Sequence, residues 1–109
     1  MKKEYCIITT TIDDKKIAQL LINRLLEKRL VACAQTHIIK SHYHWQGKIE
    51  ESSEIIISLK TKRSFFKIIE KEIISLHSYD LPEIIMIPIL DGSDSYLEWI
   101  DANVKKDKI

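Results

Sequence analysis

Few side chains in this sequence carry ligand or proton-transfer chemistry, and they fall in short groups. His77 and Glu83 bracket the segment Ser78-Tyr79-Asp80-Leu81-Pro82. An imidazole and a carboxylate are donor types that suit Cu(II) or Zn(II), and Pro82 holds the residue before it in extended geometry. A plainer role is also open: His77 capping the C-terminus of a preceding helix, with Glu83 bonded to backbone or a lysine. His42 and His44 form a second pair within the alternating run Ser41-His42-Tyr43-His44-Trp45. On a strand both imidazoles point one way while Tyr43 and Trp45 point the other. Two imidazoles can share one metal, yet the sequence offers no third ligand beside them, and a solvated face is the simpler reading. Cys6 and Cys33 sit next to Ile7-Ile8 and Val31-Ala32 without any CxxC spacing, which predicts two reduced, buried thiols. No Ser-His-Asp or Cys-His set has a legible spacing.

The elements that must position these residues follow from periodicity. Tyr5 to Thr11 is β-branched and apolar and reads as a strand. Asp13 and Asp14 supply N-cap chemistry, and Ile17, Ala18, Leu21, Leu25 and Leu26 recur at helical spacing, so a helix is expected from about Asp14 to Lys28. Leu30 to Ala34 is apolar without helical period. Ser41 to Trp45 and Glu54 to Lys60 read as two long antiparallel strands joined at Gln46-Gly47. Ser64 is a candidate N-cap for a second helix, whose stripe is Phe65, Ile69, Ile73 and Leu76 and whose end falls near His77. Glu83 to Ile87 is expected as a fourth strand that ends at Pro88 or lies at an edge. Ser95 and Glu98 form a capping-box pattern for a last helix with Tyr96, Trp99, Ile100 and Val104 on one face. Lys105 to Ile109 reads as a frayed tail.

The order β-α-β-β-α-β-α predicts a single α+β domain over residues 1–109. Its first six elements form a ferredoxin-like βαββαβ sandwich with a long β2–β3 hairpin, and the last helix is an addition. At 109 residues, 45% hydrophobic and 30% charged, with formal net charge +1, the chain can build a modest core and has no basic tract for nucleic acid. No apolar run approaches the roughly 20 residues that span a membrane, and no signal-peptide pattern is visible, which points to the cytoplasm. The fold itself hosts unrelated functions. The central strands Cys6 to Thr10 and Glu54 to Ser58 carry no aromatics for RNA stacking. Thr11-Ile12-Asp13-Asp14 is too acidic for a phosphate loop after strand one. A PII-like small-molecule-sensing trimer stays open, although only Gly47 and Gly92 are present and no glycine-rich phosphate loop is visible.

Five motifs occur in order: Val31-Ala32-Cys33-Ala34-Gln35; Ser41-x-Tyr43-x-Trp45-x-Gly47-Lys48-Ile49-Glu50; Glu54 to Thr61; His77-Ser78-Tyr79-Asp80-Leu81-Pro82-Glu83-Ile84; and Tyr96-Leu97-x-Trp99-Ile100. In this order and spacing the chain resembles the CutA family of divalent-cation tolerance proteins over about residues 4 to 104. The resemblance implies a homotrimer joined through extended strands, a link to divalent metals that includes copper in some members, no established catalysis and no cofactor needed for folding; a structural or partner-binding trimer stays open beside the PII-like one. It makes His77 and Glu83 the candidate metal ligands, through the family's His-x-Tyr-x-x-Pro-Glu pattern. It also sets Tyr43 and Trp45 at a subunit boundary or in the wall of an intersubunit cleft, to which Glu54, Lys60 and Tyr79 add polar groups. A Glu54–Lys60 pair reads equally as a plain ion pair. The pattern departs at the end of strand one, where copper-binding members can carry a cysteine. About Thr10, this chain has Thr9-Thr10-Thr11, and a hydroxyl is a poor ligand for Cu(I).

Overall fold

The structure is a computed structural model, and it describes residues 4–106. Four strands form one antiparallel sheet in the order β2-β3-β1-β4. Strand β1 spans Tyr5–Ile12, helix α1 Lys15–Glu27, β2 Cys33–Trp45 and β3 Lys48–Lys62. Helix α2 spans Phe66–Leu76, β4 Ile85–Pro88 and α3 Asp94–Asn103. This is the expected βαββαβ order with an added helix. Among the described residues, no helix is long and apolar enough to cross a membrane.

Alternation divides the sheet into two faces. Cys6, Ile8 and Ile12 of β1 and Ile57 and Leu59 of β3 point to the helices. There they bury against Ala18, Leu21 and Leu25 of α1 and Ile69 and Ile73 of α2. Burial of each such aliphatic side chain is worth about 1.5–3 kcal/mol, so this layer holds the sandwich together. The opposite face carries Tyr5, Ile7, Thr9 and Thr11, with Lys62, Lys60, Ser58 and Ile56 across from them. Helix α3 packs on this second face: Lys60 reaches Tyr96 and the buried Lys62 reaches Asp101.

Asp14 caps α1 as expected, its Oδ1 accepting from the amides of Lys16 (2.9 Å) and Ile17 (3.1 Å). The helix ends in a Schellman turn, with Leu30 N–H donating to Leu25 and Arg29 N–H to Leu26. Arg29 occupies the left-handed position at φ 56° and donates through its guanidinium to Ala102 at 3.2 Å.

Several boundaries differ from the sequence reading. Ser64 does not cap α2. It lies inside a 3₁₀ turn, Arg63–Phe65, that leads into the helix without any side-chain cap. The cap of α3 is Ser93 and not Ser95; its Oγ accepts from Tyr96 N–H at 3.3 Å, two residues ahead of the expected capping box. Strand β4 begins at Ile85, so Glu83 precedes it, and Pro88 closes it opposite Cys6. Val104 follows α3 and still reaches the core. Lys105 is tied down by its N–H, which donates to the Arg29 carbonyl at 2.8 Å, and is not frayed; Lys106 is exposed, and 107–109 of the expected tail lie outside the described residues. Cys6 is fully buried, and burial pushes its thiol up to about 11, whereas Cys33 is only half-buried.

The β2–β3 hairpin outruns the domain. Pairing of β1 with β3 stops at Ile12↔Ile55, while β2 and β3 stay paired from Ile39↔Glu54 to Trp45↔Lys48. That overhang is about 20 Å long at strand rise, and the molecule measures 47 × 25 × 23 Å. Gln46 (φ 51°) and Gly47 (φ 77°) close it in a two-residue turn with both central residues at positive φ.

Candidate functional site

Three of the residues singled out in the sequence meet where β1 ends. His77 follows α2 as its C-cap, with its amide donating to Ile73 at 2.9 Å, and its extended backbone (ψ 142°) turns the chain back under the sheet. Its Nε2 lies 2.8 Å from the carbonyl oxygen of Thr11, and its Nδ1 lies 3.1 Å from the amide nitrogen of Tyr79. A carbonyl only accepts, so Nε2 carries the proton and Nδ1 is the acceptor. The two bonds fix the neutral tautomer and fasten the 77–79 segment to the sheet. The rings of His77 and Tyr79 lie 4.7 Å apart at 57°.

Tyr79 extends this network to the hairpin. Its hydroxyl donates to Glu54 Oε2 at 2.7 Å. Glu54 sits at the root of the overhang, opposite Ile39, and is only 8% exposed. Tyr79 supplies the one hydrogen bond this carboxylate accepts among the described residues. Burial, then the hydrogen bond and charge of Glu54, with smaller contributions from Asp13 and Tyr43, push the Tyr79 phenol well above its ordinary range. It is a donor throughout the physiological range.

The remaining predicted residues stand apart from this network. Glu83 is exposed and makes no hydrogen bond or ion pair among the described residues. The expected Glu54–Lys60 ion pair does not form: Lys60 donates to the Tyr96 hydroxyl at 3.3 Å and lies over that ring, 5.3 Å from its centroid. Tyr96 in turn stacks on Trp99 at 5.5 Å and 24°. Tyr43, 41% exposed, touches Ser52 Oγ at 3.3 Å, and Trp45 is 49% exposed near the tip. Sequence reasoning missed the Tyr96–Trp99 stack and the Thr11 carbonyl, although Tyr96 and Trp99 had been set on one helix face. Thr10, the position that the sequence reading sets against a cysteine, points into the core, and its Oγ1 has no partner among the described residues.

As a metal ligand, His77 has one usable atom. Ligation through Nδ1 exchanges the Tyr79 amide bond for a metal bond, while the Nε2–H bond to Thr11 is the kind of backbone contact that orients metal-binding histidines. Among the described residues, no three His, Cys, Asp or Glu side chains converge as a ready-made metal site.

The comparisons with known proteins agree with the fold. The chain is 38% identical over 100 residues to the divalent-cation tolerance protein CutA of Pyrococcus horikoshii, covering 92% of this chain and 98% of that one. It is 34% identical to the chloroplastic CutA of Arabidopsis thaliana, of which it spans 55%. The solved CutA from Archaeoglobus fulgidus, described as periplasmic, superposes with a TM-score of 0.89 at 38% identity, over 93% of this chain and 99% of that one. CutA1 from Oryza sativa superposes at 0.91 and 27% identity, over 96% and 97%. Residues 6–103 match the sequence profile of the CutA1 divalent ion tolerance proteins, and the chain belongs to that family.

Proposed function

We propose that this protein is a cytoplasmic homotrimer that binds divalent metal ions, copper among them, and performs no catalysis. Family membership carries the reading. The trimer draws support from the overhang, whose Trp45, Tyr43 and Ile49 are exposed and whose β2 edge is unpaired among the described residues. Such an edge is an aggregation hazard unless another chain covers it. Light scattering at micromolar concentration should give the mass of three chains, and a monomer mass would refute the assembly. For the metal, His77 through Nδ1 and Glu83 are the candidate ligands. Calorimetry with Cu(II) and Zn(II) on wild type and His77→Ala tests them, and equal affinity removes this pair.

A second reading follows from the Glu54–Tyr79 contact. A buried carboxylate held by one phenol at the root of a projecting hairpin suits the polar wall of an intersubunit cleft for a small molecule. A thermal-shift screen of nucleotides and anions tests it, and no stabilisation by any of them counts against it.

A further inference from the structure

The overhang supplies what the sequence did not, a third donor beside the two hairpin histidines. His42 stands directly opposite Glu51 in the β2–β3 register, and His44 stands one pleat further out on the same face, opposite Ile49. His42 Nδ1 lies 3.4 Å from Glu51 Oε2. The other carboxylate oxygen, Oε1, lies 3.4 Å from Lys40 Nζ. All of this is beyond the reach of the helices: the His42 and Glu51 side chains are 60% and 54% exposed, so rotation meets solvent and not core.

We propose that His42, His44 and Glu51 form a chelating site for a borderline divalent cation, Cu(II) or Zn(II), on the hairpin face opposite Tyr43 and Trp45. Alternate strand residues lie roughly 7 Å apart at Cα, a span that two imidazoles bridge onto one ion at about 2.0–2.1 Å from each nitrogen. A cross-strand carboxylate completes a two-histidine, one-carboxylate set, and water fills the remaining positions. The three side chains do not converge in the present conformation. Binding therefore requires the side chains to rotate toward one ion and releases Glu51 from Lys40. The Lys40 ammonium competes with the cation for the same carboxylate, so the site is of modest affinity and is tightened by removing that charge.

This site is separate from His77 and Glu83 and goes beyond the reading above. The test is titration calorimetry of the full chain with Zn(II) alone and with Cu(II) alone. His42→Gln/His44→Gln should weaken binding by about tenfold or more. Lys40→Ala should strengthen it, and His77→Ala should leave it unchanged. In the NMR spectrum, substoichiometric Cu(II) should broaden the imidazole signals of His42 and His44 first. Wild-type affinity in the double histidine variant would overturn the proposal. Loss in His77→Ala with retention in the double variant would overturn it too, and would favour the His77–Glu83 site instead. Both positions are solvated, so neither Gln substitution endangers the fold, and circular dichroism verifies this.

Discussion

Removing one hydroxyl tests the network that links hairpin and helix. Tyr79→Phe deletes the donor to Glu54 and keeps the ring against His77. The bond is 2.7 Å long, its acceptor is a carboxylate, and that carboxylate is 8% exposed. A hydrogen bond to a charged group is worth about 1.5–3 kcal/mol, and the stranded partner adds a desolvation cost. Partial exposure of Tyr79 admits some water, which places the expected loss at about 2 kcal/mol. Urea unfolding at fixed protein concentration measures it. Glu54→Gln and the double variant complete the cycle, which should show that the double loss is smaller than the sum of the single losses. The same contact sets an alkaline limit. Tyr79 holds its proton more tightly folded than unfolded, so its contribution is complete below the ordinary phenol range, about pH 10, and is lost as pH rises beyond it. That limb should vanish in Tyr79→Phe. A single-variant loss below about 0.5 kcal/mol, or additive losses across the cycle, would refute the reasoning.

Three further outcomes are expected. Thr10→Val should stabilise by about 1 kcal/mol in thermal or urea unfolding, because it removes a buried hydroxyl that has no partner among the described residues, at nearly constant shape. Glu72 bonds to Lys28 at 2.9 Å, and that hydrogen bond above all holds its carboxyl below the ordinary range. The stability it adds is present above the usual carboxylate range and is lost as pH falls through the lowered value; Lys28→Ala should flatten that acid limb in a pH series. Gln46→Asn should stabilise the hairpin by a few tenths of a kcal/mol in the same unfolding assay, since Asn-Gly fits the two positive φ angles better than Gln-Gly.

What was legible in the sequence is what local chemistry decides. Asp14 ahead of Ala18, Leu21 and Leu25 announces a cap and a buried stripe, and both are present, although Ile17 is only half-buried and Leu26, expected in the same stripe, is exposed. The alternation at 41–45 gave the right faces for His42, Tyr43, His44 and Trp45. Choices between equal candidates were not legible. Ser93 and Ser95 are both good caps, and only the observed start of α3 at Asp94 selects the first. Partnerships across the fold were invisible for a different reason. The Thr11 carbonyl meets His77, and Glu54 meets Tyr79, only once α2 has returned to the end of β1. Glu54 and Lys60 lie on one face of one strand, which suggests an ion pair, yet each finds a nearer partner from another element.

The overhang divides one pair of strands into two regimes. Along 55–60 each residue answers to β1 on one side and to β2 on the other, in a sheet packed against helices. Along 40–45 and 48–53 it answers, within the single chain, to the facing strand alone. A substitution in the inner stretch must satisfy several neighbours at once, while one in the outer stretch must satisfy a single neighbour and water. The same hairpin is thus rigidly specified at its root and permissive at its tip, and a new surface chemistry can be tried at the tip without disturbing the architecture that presents it.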